Sequence, residues 1–208
     1  MNLWQMTIRG GLIMIPIVLC GALTIAIIVE KLFYLKNAEI DTEKFLDELE
    51  KILKRRKIKE ALELCDRYSQ PIPRIIKAGL LKSDRSREEI KETIEDAASH
   101  EIPNIEKYLG ILATIATVSP LLGLLGTVTG LIKGFMVIES LGGLVNPGDL
   151  ARGIWEALVT TVGGLVIAIP AYLAYNYFVS RVNNIVLQME KSATRVLDIF
   201  LLLKSEEE

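Results

Sequence analysis

Residues 107–135 read KYLGILATIATVSPLLGLLGTVTGLIKGF, and residues 150–178 read LARGIWEALVTTVGGLVIAIPAYLAYNYF. The 25 residues between Lys107 and Lys133 carry no charge, nor do the 24 between Glu156 and Arg181. At ~1.5 Å of rise per residue, either run covers a bilayer core of roughly 30 Å. The connection between them is short and Gly-rich and holds Asn146-Pro147-Gly148-Asp149. It is too short to recross a membrane, so the two runs are expected to form an antiparallel hairpin of transmembrane helices.

The faces of the hairpin carry the next inference. Gly123, Gly126, Gly130 and Gly134 recur at helical spacing, with two consecutive G-xxx-G steps. In lipid there is little hydrophobic drive between helices, and close backbone approach at small residues joins them. Thr127 and Thr129 add hydroxyls, as do Thr114, Thr117 and Ser119 further back. On the second run Glu156, Thr160, Gly164 and Ala168 recur every four residues and share a face, with Thr161 beside them. A single intramembrane Thr commonly bonds its own helix backbone. Small and hydroxyl residues on both partners, with Glu156 among them, point instead to a polar, protein-lined interior. In an antiparallel hairpin, residues at one depth have a constant index sum: Thr127 with Thr161 gives 288, Lys133 with Glu156 gives 289. Lys133 and Glu156 are thus expected at one depth. They either pair, or Lys133 snorkels and leaves Glu156 to face the interior alone.

The segments SPLLGLLGTVTGLIKGF and GIWEALVTTVGGLVIAIPAYLAYN resemble the second and third spans of the MotA/TolQ/ExbB proton channel family, in its three-span ExbB/TolQ branch. The likeness covers roughly residues 8–200 and is weakest in the polar middle of the chain. It implies a homo-oligomeric inner-membrane ring, a pentamer, around a single-span ExbD/TolR-like partner. It also implies coupling, through a TonB/TolA-like effector, of proton-motive force to work on the cell envelope. By the same resemblance Thr127 and Thr161 are the family's pore hydroxyls. An acid is expected at Glu156, whereas the position of Lys133 is usually polar and uncharged. The titrating carboxylate of the family sits on the partner, in keeping with the absence of Asp from every apolar run here.

Residues 10–29, between Arg9 and Glu30, form a further uncharged run of 20 residues, with Trp4 before it and Phe33-Tyr34 after it as interfacial aromatics. It is too long for a signal-peptide core and has no small-x-small cleavage site before Glu30-Lys31, so it reads as a retained span. From Glu39 to Glu106 the chain is polar and helical. Phe45, Leu46, Leu49, Ile52 and Leu53 mark one stripe after an Asp41-Thr42 cap; Ile58, Ala61, Leu62 and Cys65 mark a second. Pro71 and Pro73 interrupt the pattern before a helix around Ile75, Ile76, Gly79 and Leu80. Ser86 and Glu89 form a capping box for a helix with Ile90, Ile94 and Ala97, expected to run on, bent near Pro103, into the second span. Beyond the third span Val182, Val186, Met189, Ala193, Val196 and Phe200 continue near a 3.5-residue repeat, which predicts a helical extension packed in a bundle and acting in assembly.

The expected fold is therefore all-α: three transmembrane helices with long cytoplasmic helical extensions. The boundaries are an external N-terminus at 1–9, spans at 10–30, 108–137 and 150–178, a cytoplasmic helical region at 31–107, an external loop at 138–149 and a cytoplasmic C-terminal helix at 179–208. Lys and Arg concentrate in 31–107 and in the tail, and the loop to Asp149 has none, which places the N-terminus on the periplasmic side and the C-terminus in the cytoplasm.

Composition narrows the function. Half the residues are hydrophobic, and the mean hydropathy of +0.36 exceeds that of most soluble domains. Net charge is −2 with bases interleaved among acids, which argues against nucleic-acid binding. Cys20 and Cys65 lie in different regions and read as free thiols. His100 has no Cys or His at ligand spacing, so no metal site is expected. GLLGTVTG follows no strand and is not a phosphate cradle. Neither catalytic residues nor a cofactor are expected. What remains is an ion-path subunit, with Thr127, Thr161 and Glu156 on the path, Lys133 as a charge partner and Gly123, Gly126, Gly130, Gly134 and Gly164 packing the helices. The alternatives are a flagellar-type or sodium-driven stator, which three spans disfavour in its four-span form, and a passive membrane scaffold in contact with lipid.

Overall fold

A computed structural model of the chain describes residues 10–140 and 147–205. Within them lie helices α1 (Met14–Ala38), α2 (Thr42–Leu53), α3 (Ile58–Asp66), α4 (Pro71–Leu80), α5 (Arg87–Glu106), α6 (Leu109–Ser140) and α7 (Pro147–Ser205). No strand occurs among the described residues. Three helical stretches, containing α1, α6 and α7, are long and apolar enough to cross a membrane. The all-α, three-span expectation holds. The expected external N-terminus (1–9), the middle of the expected loop (141–146) and the acidic end (206–208) lie outside the described residues.

The fold separates into two compact units, Met1–Glu30 with Tyr108–Phe178, and Lys31–Lys107 with Val179–Glu208. In the first, α6 buries Leu112, Ala116, Ser119, Gly123, Gly126, Gly130 and Gly134, a face that changes from large to small residues along the helix. The opposite face exposes Leu121, Leu124, Leu125 and Ile132, as a lipid-facing surface does. Met14 and Ile17 of α1 pack on Val159 of α7, flanked by Leu122 and Ile167. Pro16 lies in the first turn of α1, where a missing N–H breaks no helical bond.

The second unit is held as a water-soluble bundle is. Asp41 caps α2 by accepting from Lys44 N at 3.1 Å, and Ser86 caps α5 by accepting from Glu89 N at 3.2 Å. Pro71 occupies the first turn of α4, where it needs no donor. Phe45, Leu49, Leu53, Ile75, Ile76, Leu80, Ile90 and Ile94 are buried almost completely. On α3 the buried residues are Ala61, Leu64 and Cys65, so Leu64 takes the core position expected of Leu62, which is only half-buried. The tail of α7 buries Val182, Ile185, Met189, Ser192 and Val196. Val186 and Ala193, expected in that stripe, instead line a cleft of about 350 Å³ with Ile94 and Ile102 of α5. The stripe is thus buried within the unit itself, where α2 and the link before it tether it: Arg181 bonds Glu39 at 2.7 Å, Thr42 bonds Gln188 at 2.9 Å, and Arg195 reaches Glu43, Asp47 and Glu50.

One expectation is overturned. The helix holding Pro103 does not run into the second span; α5 accommodates Pro103 and stops at Glu106. Lys107 is extended (ψ 136°) and Tyr108 left-handed (φ 68°) before α6 starts. The cause lies far off in sequence. Lys31, fully buried, donates from Nζ to Ile105 O at 3.1 Å, a carbonyl that a continuous helix would have given to its own backbone. A cation at the last carbonyls of a helix also suits its dipole.

Candidate functional site

The small-residue faces of α6 and α7 meet in a seam, and glycine sets its closeness. A Cβ on Gly123 would lie 2.9 Å from Thr161 Cα, and one on Gly164 would overlap Ser119 O and lie 3.3 Å from Gly123 Cα. At Gly126 it would overlap the side chain of Thr160; at Gly130 it would lie 3.0 Å from Ala157 Cβ. Gly134 is buried, yet nothing lies within 4 Å of where its Cβ would be. The contact there comes from Gly153, whose Cβ would sit 3.1 Å from Gly130 O and 3.2 Å from Gly134 Cα. Gly153 was not among the packing glycines expected from sequence. Its signal was its place four residues before the small Ala157.

This closeness brings Thr127 and Thr161 together. Their hydroxyls hydrogen-bond directly to each other across the seam. Thr127 Oγ1 also lies 3.2 Å from Gly123 O and 3.2 Å from Ala157 O on the facing helix, and Thr161 Oγ1 lies 3.1 Å from Gly123 O. Each hydroxyl has one proton and two lone pairs. The pair therefore has more acceptors around it than protons to give, and the proton between the two oxygens can belong to either. Such a group can pass a proton on or offer oxygens to a cation. The other hydroxyls differ. Thr114, Thr117 and Thr129 bond carbonyls of α6 itself, and the buried Thr160 bonds Ala157 O of its own helix at 2.7 Å, with Gly123 O of α6 more distant at 3.5 Å. Ser119 is fully buried and its Oγ has no hydrogen-bond partner.

Lys133 and Glu156 form an ion pair, Nζ to Oε1 at 2.7 Å, with the Glu156 side chain 25% exposed and that of Lys133 59%. Of the two arrangements open to these charges, the structure has the paired one. Both cross-helix pairs match the index sums of 288 and 289. Gly11, with φ +67°, lies against the same carboxylate, and a Cβ there would overlap Glu156 Oε1.

Little else in the described residues offers chemistry. No three His, Cys, Asp or Glu side chains among them converge as metal ligands would. Burial pushes the Cys65 thiol up to about 12, so it stays protonated and unreactive near neutral pH. Cys65 and Cys20 are both free. His100 is exposed, 3.9 Å from Asp96 one turn earlier.

Residues 67–191 match the family described as the MotA/TolQ/ExbB proton channel family. The chain is 32% identical to a putative biopolymer transport protein ExbB homolog of Methanothermobacter thermautotrophicus, over 86% of this chain and 64% of that protein. It is also 32% identical to a putative biopolymer transport protein ExbB-like 3 of Synechocystis sp., over 81% of each. A Tol-Pal system protein TolQ of Haemophilus influenzae is 44% identical over 43% of this chain and 39% of its own length.

Proposed function

Because the chain belongs to the MotA/TolQ/ExbB proton channel family, we propose that it is the ion-path and stator subunit of an ExbB–ExbD or TolQ–TolR type motor, which turns proton-motive force into mechanical work on the cell envelope. The observation that carries this reading is the Thr127–Thr161 hydroxyl pair, held by glycines between the uncharged stretches of two helices. A scaffold needs only the glycines. Hydroxyls that meet one another across the seam, in addition to the bond Thr127 makes to its own helix, give an ion somewhere to pass.

In this reading Thr127 and Thr161 line the path, and Glu156, held by Lys133, lies near one end of it. Gly123, Gly126, Gly130 and Gly164 set the helix spacing. The chain is a multi-pass protein of the inner membrane with its N-terminus periplasmic and its C-terminus cytoplasmic. Copies assemble as a ring, a pentamer, around the span of an ExbD/TolR-like partner that supplies the titrating Asp, and a TonB/TolA-like effector carries the work onward. The chain conducts and transmits force rather than catalysing, and needs no cofactor.

Reconstitution tests the functional class. Liposomes holding this chain together with a one-span partner are expected to pass protons under an imposed potential, and to stop when the partner's intramembrane Asp becomes Asn. Liposomes holding this chain alone are expected to pass few. The absence of flux from the complex, or equal flux with and without the partner, would contradict the proposal.

A further inference from the structure

We propose that Gly11 is a positioning residue for Glu156: the turn leading into α1 lies against the Glu156 carboxylate and holds it toward Lys133. The inference rests on the ion-path reading of Glu156 given above, but its structural basis is separate. Gly11 has φ +67°, a conformation that L side chains rarely adopt, and its would-be Cβ overlaps Glu156 Oε1 and lies 3.1 Å from Glu156 Cδ. That same Oε1 receives Lys133 Nζ at 2.7 Å. The carboxylate oxygen is therefore confined between an ammonium from α6 and bare backbone from the chain before α1. The turn is itself anchored. Met14 N donates to Gly11 O at 3.2 Å, Met14 and Ile17 pack on Val159, and a Cβ on Gly163 would lie 2.9 Å from Met14 Cε.

Two features point to positioning of the acid rather than to simple packing. The contact falls first on the carboxylate, the one part of Glu156 that carries charge: Oε1 and Cδ are nearest, and the Cγ methylene lies behind them at 3.7 Å. A Glu side chain has three rotatable bonds, and a partly exposed carboxylate with one ammonium partner has several rotamers open to it. With the space taken up by the Gly11 backbone, the rotamer that meets Lys133 is favoured. A methyl at position 11 would occupy that space and drive the carboxylate off. The glycine thus acts through Glu156, and Glu156 acts on the ion.

The test is a double-mutant cycle on the assembled full-length protein. Gly11→Ala carries two costs, the strain of Ala at positive φ and the overlap with Glu156. The strain is the same in any background; the overlap is not. The melting temperature is expected to fall by several degrees with Gly11→Ala when residue 156 is Glu. It should fall clearly less with Glu156→Asp, whose carboxylate is one methylene shorter, and with Glu156→Ala, which has none and serves if the Asp variant does not assemble. An equal fall in all backgrounds would mean strain alone and would overturn the proposal. The second readout is ion-driven activity of Gly11→Ala with Glu156 intact, expected to drop roughly tenfold or more, the scale on which ångström misplacements act at working groups. Unchanged activity, in an assay in which Glu156→Gln loses activity, would also overturn it. The cycle reads a contact, so it succeeds or fails whether or not Glu156 serves the ion path, which the activity of Glu156→Gln with Gly11 unchanged tests separately.

Discussion

The two units are both α-helical, yet they are held together by opposite means. In the unit of Lys31–Lys107 and Val179–Glu208 the helices bury large aliphatics, Ile75, Ile76, Ile90 and Ile94 among them, and tie their rims with charges such as the Arg195 cluster. In the unit of Tyr108–Phe178 and the start of the chain, the large aliphatics Leu121, Leu124 and Leu125 point outward and the buried seam is glycine, alanine and hydroxyl. The solvent explains the inversion. Removing apolar area from water is worth roughly 25 cal/mol per Å², so a bundle in water hides its leucines. In lipid that gain vanishes, and what remains is the close contact and cross-helix hydrogen bonding that small residues permit. A seam of this kind leaves polar oxygens in the interior of a membrane protein.

The contrast can be broken most forcefully at the buried aliphatics. Ile76→Ala, at a fully buried site on α4, is expected to destabilise by about 2–5 kcal/mol. Leu124→Ala, on the exposed face of α6, should cost close to nothing in a detergent micelle. Comparable losses on thermal denaturation would mean that the two units are not held differently.

Glycine substitutions sharpen the other side. Gly164→Val places methyls on Ser119 O and the Gly123 backbone, neither of which yields as a flexible side chain does. The expected cost is about 1–3 kcal/mol, from separating α6 and α7. Gly134→Ala, where the Cβ meets open space, should be tolerated. A cysteine crosslink between positions 127 and 161 reads the separation directly: formed efficiently beside Gly134→Ala, poorly beside Gly164→Val.

The smallest effect belongs to the charged rim. Lys54 first, and Arg195 second, hold the Glu50 carboxyl below the usual carboxylate range. As pH falls, the unfolded chain takes up this proton first, at a pKa of about 4.3. The contribution is therefore present above about pH 4.3 and lost as pH falls through the lower, folded value. Arg195→Gln should lower stability slightly at pH 7, where the contribution is present, and leave stability below the folded pKa unchanged, so that the acid limb flattens by the same small amount. An unchanged acid limb would show that the cluster does not couple to Glu50.

How much of this was legible in the sequence follows from what each feature depends on. Span length and the spacing of small residues belong to single segments, and the hairpin register follows from two of them, so the Thr127–Thr161 and Lys133–Glu156 contacts could be anticipated from index sums. Features set by distant partners could not. The break at Lys107–Tyr108 depends on Lys31, 74 residues from the carbonyl it binds. The tail stripe runs through Ile185 and Ser192 rather than Val186 and Ala193 because a near-3.5 repeat leaves adjacent positions to be chosen by the facing helix. Gly153 in place of Gly134 is the same kind of shift, set by the angle at which two helices meet. Gly11 had no signal at all, since only the folded chain shows what lies beside it.

The central claim is that the Thr127 and Thr161 hydroxyls serve an ion path and not only helix packing. Replacing each with Val keeps the shape and removes the oxygen. The direct measurement is proton flux through the reconstituted complex with its partner for Thr127→Val, Thr161→Val and the double variant, each first shown to assemble as the unsubstituted protein does. The account predicts a large loss of flux in both single variants, with the double little worse than either because the two hydroxyls act as one unit. Unsubstituted flux in both single variants would contradict it and leave the seam as packing alone.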